Sequence, residues 1–198
     1  MSVAIDPRTW TRADKATKQT YLASTRREYL DERFINAAFA TEDMHWAKPL
    51  GTEALQIALD NSLVFGIYVT TPPTNYEPED KPAIYSTLRQ IGLARLITDY
   101  VTFAYLTDVF VDSEFRGKGL AVWIVQCCNE MLDKMRKREG GDFRTVLLLT
   151  SNMEIAVPMY EKHLGMVVPE QSRKSESGPV VMATRFKKHD GEEKAGVA

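Results

Sequence analysis

"VFVDSEFRGKGLA" (residues 109–121) joins a β-branched, aromatic run to the start of a helical pattern through two glycines and two basic residues. Read as strand, turn and helix, this junction leaves the first N–H groups of the helix without intrahelical partners and aimed into one small volume. Those donors, together with the helix dipole, favour an anion. Gly117 and Gly119 have no side chain, so a phosphate can approach the backbone, and Arg116 and Lys118 add positive charge. The junction is a candidate pyrophosphate cradle. The plainer reading is a glycine turn flanked by solvated basic residues.

Two other phosphate motifs fail on inspection. A P-loop needs a hydroxyl residue after its lysine, whereas Lys118 is followed by Gly119; a dinucleotide fingerprint needs a third glycine that "GKGLAV" lacks.

Downstream, Ala121, Val125, Cys128, Leu132 and Met135 recur at steps of four and three, with Ile124, Cys127 and Met131 widening the stripe. This predicts a long helix over about 119–138 with one broad buried face. "TVLLLT" (145–150) reads as a strand from the middle of a sheet. "SNMEIAVPMYEKHLG" (151–165) reads as a shorter helix that contains, or is interrupted at, Pro158 and is closed by Gly165. "MVV" (166–168) and "VVMATRF" (180–186) supply further strand material.

Upstream, "IGLARLIT" and "TFAYLTDVFV" joined by "TDYV" predict a hairpin, and "LVFGIYV" (63–69) predicts a strand stopped by the prolines that follow. "TPPTNYEPEDKP" (71–82) has four prolines in twelve residues and is expected to be a loop. Leu30, Phe34, Ile35, Ala38 and Phe39 mark one amphipathic helix, with a short strand expected near Thr25 to Tyr29. Leu55, Ala58 and Leu59 mark a second, with Thr52 as its expected cap. The whole is a mixed α/β sheet with helices on both faces.

With 198 residues and 44% of them hydrophobic, the chain suits one domain. Twenty-five Lys+Arg against 27 Asp+Glu give a net charge of −2, so no global field favours nucleic acid or an anionic membrane. No apolar stretch approaches the roughly 20 residues that span a bilayer, and the polar first residues carry no secretory pattern. Cys127 and Cys128, the only cysteines, are adjacent, which rules out a disulfide framework and a cysteine-built zinc site. No metal is expected. These features favour the cytoplasm, with the nucleus left open.

"VFVDSEFRGKGLA" resembles the acetyl-CoA signature of the GNAT superfamily of N-acetyltransferases: Arg or Gln, two residues, Gly, one residue, then Gly or Ala, filled here by Arg116, Gly119 and Ala121. "NSLVFGIYV", "IGLARLITDYVTFAYLTDVFV" and "LLLTSNMEIAVPMYEKHLGM" follow in the family's order. The resemblance spans about residues 25–187, leaving 1–24 as an N-terminal extension and 188–198 as a flexible tail. It implies a mixed, mostly antiparallel sheet splayed between its fourth and fifth strands. It further implies that the backbone of Val109, Phe110 and Val111 pairs with the pantetheine arm, and that the amides from Arg116 through Gly117, Lys118, Gly119 and Leu120 to Ala121 hold the pyrophosphate. Asn152 would bond the coenzyme arm, or simply cap its helix.

By the same resemblance, Tyr160 is the general acid to the coenzyme A sulfur, with core packing as its alternative. Asp108 is either the base that takes the amine proton or a structural acceptor for a backbone amide or Tyr105. Pro158 is expected to kink the helix that carries Tyr160. Phe34, Trp46 and Tyr105 are candidate walls of the acceptor pocket, with core packing as the plainer reading of Phe34 and Trp46; His45 and His163 need no catalytic role. The activity implied is acetyl transfer from acetyl-CoA, as co-substrate, to a primary amine of a small molecule by direct attack in a ternary complex. The alternative is a catalytically silent acyl-CoA sensor or scaffold. Exposed sheet edges leave room for a homodimer.

Overall fold

A computed structural model describes residues 5–70, 88–173 and 178–185. The proline-rich segment 71–82 and the tail 188–198 lie outside these residues. In chain order the elements are β1 (Thr9–Ala13), β2 (Thr20–Ser24), α1 (Glu32–Phe39), α2 (Thr52–Asp60), β3 (Leu63–Thr70), β4 (Leu88–Thr98) and β5 (Phe103–Val111). There follow α3 (Leu120–Arg136), β6 (Thr145–Thr150), α4 (Ala156–Leu164), α5 (Glu170–Arg173) and β7 (Val180–Arg185). The strands form one sheet in sequence order from β1 to β7. Every neighbouring pair is antiparallel except β5 and β6, which the α3 crossover makes parallel.

Strand alternation divides the interior into two cores. On β3, Leu63, Phe65, Ile67 and Val69 pack on the face covered by α3 and α4, while Val64 turns to the face covered by α1 and α2. The larger core gathers Ile124, Cys128, Met131 and Met135 of α3; the smaller gathers Ile35, Phe39, Leu55 and Leu59 around Leu93 and Phe110. The hairpin forms as expected, with β4 and β5 running 88–98 and 103–111, and α3 occupies the periodic stretch.

Several expectations move. Residues 9–24, set apart above as an extension, carry two strands of the sheet, so the divergence between the fourth and fifth strands falls between β5 and β6 in this chain's numbering. The early strand lies at Thr20–Ser24, not near Thr25–Tyr29, because Tyr21, Leu22 and Ala23 supply apolar surface to bury. Arg27–Tyr29 is instead a single 3-10 turn, with Arg27 paired to Glu32 and Asp60 at the surface. α2 is capped by Gly51, and Thr52 is its first helical residue. "MVV" contributes only an isolated bridge, Val167 to Ala183. β6 is internal to the sheet but not buried on both sides, since Leu149 is half exposed. Pro158 falls in the first turn of α4, where no intrahelical N–H is required, and so leaves the helix from Ala156 to Leu164 continuous.

Cys127 and Cys128 are both buried in the core under α3. Burial disfavours the thiolate, pushing Cys127 up to about 12 and Cys128 well above the ordinary thiol range. Both therefore stay protonated and enclosed through mildly alkaline pH. A colorimetric thiol reagent is expected to find neither in the native protein and both after unfolding; rapid native labelling would contradict the packing role.

Candidate active site

β5 and β6 are paired only from Phe103–Thr145 to Leu106–Leu148. β5 then runs on to Val111 and β6 to Thr150 without further pairing to each other, and a cleft of about 540 Å³ opens along this edge. Its walls include Tyr105 to Val109 of β5, Leu148 to Asn152 at the end of β6, Ala156 and Tyr160 of α4, and Glu42, Asp43, His45 and Trp46 from the α1–α2 connection. Trp46, Tyr105, Asp108, Val109, Asn152 and Tyr160 thus meet in one place, although they span over a hundred positions of the chain. Phe34 is not among them: it packs against Phe110, ring centroids 6.2 Å apart, because it lies on the core-facing stripe of α1.

The cradle lies where β5 passes into α3. Gly117 and Gly119 adopt φ of +77° and +69°, the left-handed region in which a side chain is strained. The first backbone bond of α3 runs from Trp123 N–H to Gly119 C=O. Among the described residues, the backbone N–H groups of Gly117 through Val122 have no hydrogen-bond acceptor. These are the donors expected for an anion.

The Arg116 amide stands apart, because it donates to Ser113 C=O at 3.3 Å. Its side chain is also engaged: Nε donates to Val111 C=O at 3.1 Å, and Nη2 reaches Asp43 at 2.6 Å. Arg116 therefore braces the cradle against the α1–α2 connection, and it also occupies one acceptor position on the carbonyl of Val111. Lys118 Nζ lies 4.9 Å from the centre of the Phe115 ring.

Asp108 owes its place to a β-bulge. Leu93 pairs with Phe110 and Arg95 with Thr107, so β5 uses one residue more than β4 between these pairs. The alternation of β5 inverts across it: Ala104 and Leu106 face the α3 core, while Phe110 faces the α1–α2 core. Asp108 itself takes φ +54°, a region Asp tolerates better than most residues. Its carboxylate is 4% exposed and accepts three hydrogen bonds, from Arg95 Nε at 2.7 Å, Trp46 Nε1 at 3.2 Å and Thr107 Oγ1 at 3.1 Å. The structural partners are thus Arg95, Trp46 and Thr107, not Tyr105 or a backbone amide.

Tyr160 is 8% exposed, and burial raises its phenol above the usual range, with proximity to Cys128 adding to the shift. It is a neutral hydroxyl throughout the neutral range. Asn152 accepts from Ile155 N–H at 2.8 Å through Oδ1, fixing the turn that leads into α4. It therefore braces the turn before α4, whose N-cap is Ile155 with no side-chain bond, and its side-chain NH2 is not used in that turn.

Sequence reasoning passed over three residues that hold the site together: Arg95, Asp43 and Arg12, the last donating to the carbonyls of the cradle. Arg95 alone had a legible signal, a single charge inside the apolar run "IGLARLIT". A buried charge demands a partner.

The profile of the Acetyltransferase (GNAT) family matches residues 74–166. A Gibberella zeae protein described as a candidate acetyltransferase is 36% identical over 168 residues, covering 81% of this chain and 83% of that protein. A crystal structure from Xanthomonas campestris, described as a candidate GNAT-family acetyltransferase, matches at TM-score 0.50 and 27% identity over 80% of this chain and 92% of that one. The spermidine N-acetyltransferase of Vibrio cholerae, solved with CoA and spermine, shares the fold at TM-score 0.53 and 16% identity, over 89% of this chain and 95% of its own. With such identity sustained over four fifths of the sequence, this chain belongs to the GNAT family of acetyltransferases.

Proposed function

We propose that the protein transfers the acetyl group of acetyl-CoA to a primary amine of a small molecule by direct attack within a ternary complex. The observation that carries this reading is the run of N–H donors from Gly117 to Val122, without acceptors among the described residues, at the head of the parted strands. A diphosphate held there would let the pantetheine arm run along the free edge of β5 beside Val109 and Phe110, toward Tyr160. The Vibrio cholerae neighbour, with CoA and spermine bound, supports both a coenzyme A donor and an amine acceptor.

In the proposed reaction the amine nitrogen attacks the thioester carbonyl. The new C–N bond forms, the C–S bond breaks, and the departing sulfur takes the Tyr160 proton, while the amine proton leaves to solvent and a solvent proton restores the Tyr160 phenol. Backbone N–H groups of β5 stabilise the oxyanion, a device that depends on fixed dipoles, not on side-chain identity. Tyr160 fits the acid role because its phenol stays protonated. Three of the roughly four acceptor positions of the Asp108 carboxylate are already filled, so we assign it to holding Trp46 in the wall and route the amine proton through water. Trp46 and Tyr105, with Glu42 nearby, form an aromatic and acidic wall suited to a cationic amine.

Calorimetry should show the folded wild type binding acetyl-CoA, and a thiol-release assay over amines, alcohols and peptides should show turnover with a small amine. No acetyl-CoA binding would sink the donor assignment. Binding without turnover on a broad panel would replace the enzyme by an acyl-CoA sensor.

A further inference from the structure

Arg12 lies on β1, at the far edge of the sheet, 107 positions before Gly119 in the chain. Its Nη1 donates to Gly119 C=O at 2.9 Å and its Nη2 to Lys118 C=O at 3.0 Å. These carbonyls belong to the peptide units that also contain the N–H groups of Gly119 and Leu120. A trans peptide is planar, with its C=O and N–H pointing in opposite directions. Gripping the two carbonyls from one side therefore directs the two N–H groups to the other, where they have no acceptor among the described residues. The fit is close: a Cβ added to Gly119 would lie 3.4 Å from Arg12 Nη2.

We infer that Arg12 is a positioning residue for the donor site: a clamp that orients the cradle amides before the donor arrives. This rests on the donor reading above. A loop with glycines at 117 and 119 has unusual backbone freedom, and ordering it would otherwise be charged against binding. The guanidinium also polarises the two peptide groups, which strengthens their N–H donors. β1 is a firm base for the clamp. Its residues pair with β2, Arg12 opposite Tyr21, and both Trp10 Nε1 and Nη2 of Arg8, the residue just before the strand, bond Glu130 further along α3.

The test measures acetyl-CoA affinity by calorimetry and steady-state kinetics for wild type, Arg12→Ala, Arg12→Lys and Arg8→Ala. Removing the clamp is expected to weaken donor binding about tenfold and raise the donor KM alike, leaving kcat at saturating donor and the acceptor KM unchanged. Arg12→Lys, whose ammonium can still reach a carbonyl, should recover part of the loss. Arg8→Ala severs a bond to α3 from the residue just before the same strand without touching the cradle, and should leave donor affinity as in wild type.

Amide exchange in the free protein adds an independent readout: the Trp123 N–H, which donates to the Gly119 carbonyl that Arg12 also grips, should exchange faster in Arg12→Ala than in wild type. If wild type binds and Arg12→Ala binds equally well, or if Arg8→Ala loses as much affinity, the clamp is refuted while the donor reading stands. If wild type itself binds no acetyl-CoA, the donor reading falls and the clamp's role falls with it.

Discussion

Tyr160→Phe is expected to lower kcat about a hundredfold while leaving acetyl-CoA affinity unchanged, the loss typical of removing a positioned general acid. The substitution removes one oxygen and keeps the ring that packs in the α3–α4 core, so stability should change little. The pH dependence follows from the raised phenol. An unperturbed tyrosine loses its proton near 10. Burial disfavours the phenolate of Tyr160, so the proton needed by the leaving sulfur stays in place up to and beyond that pH. The kcat profile of the wild type should therefore show no alkaline fall below about pH 10. The same shift has a stability consequence. A group whose folded pKa is raised contributes stability that is complete below the unfolded value and is lost as pH rises through the folded one, so unfolding should become easier above about pH 10. Tyr68, raised chiefly by burial, acts in the same direction. A Tyr160→Phe enzyme with wild-type kcat would return this residue to simple packing.

Asp108→Ala is expected to destabilise the fold by about 3 to 5 kcal/mol, because it strands a largely buried Arg95 guanidinium without its carboxylate. Thr107 and Trp46 lose an acceptor as well, and alanine tolerates the left-handed backbone of the bulge less well than aspartate. Asp108→Asn keeps one acceptor oxygen and the tolerance for that backbone, so it should lose less. Chemical denaturation with an unchanged m-value would measure both. A cost below about 1 kcal/mol for the alanine variant would mean that Arg95 finds solvent or another acceptor. Kinetics on Asp108→Asn separate the two roles. As an anchor of Trp46, Asp108 affects mainly the acceptor KM; as the base, its loss would collapse kcat.

The parts of this protein that were legible in advance are those set by neighbours in the chain. The stripe from Ala121 to Met135 shows α3, "TDYV" shows the hairpin, and Gly117 with Gly119 shows where the backbone must turn left-handed at a helix start. Each depends on local torsions and on a period of two or 3.6, which a short window contains. Tyr160 and Trp46 could be named through family resemblance, but their meeting in one cleft could not be read from periodicity. Phe34 shows the converse: of its two readings, pocket wall and core packing, the structure has the second, on the core stripe of its helix.

What escaped the sequence reading lies in pairings across the sheet. The bulge at Asp108 inserts one residue, inverts the alternation of β5 and turns a carboxylate toward Arg95 and Trp46. No pattern within "TFAYLTDVFV" signals this, because a bulge is defined only against the register of the neighbouring strand. Likewise Arg12 lies in a stretch read as an extension, and its value to the cradle appears only once β1 is seated at the sheet edge. The sequence alone therefore determined the helices, the hairpin and the glycine turn, since these follow from local backbone preference and hydrophobic period. The tertiary structure decided which carboxylate is paired, which arginine grips the cradle and which aromatics reach the cleft, because those depend on strand order and register between residues far apart in the chain.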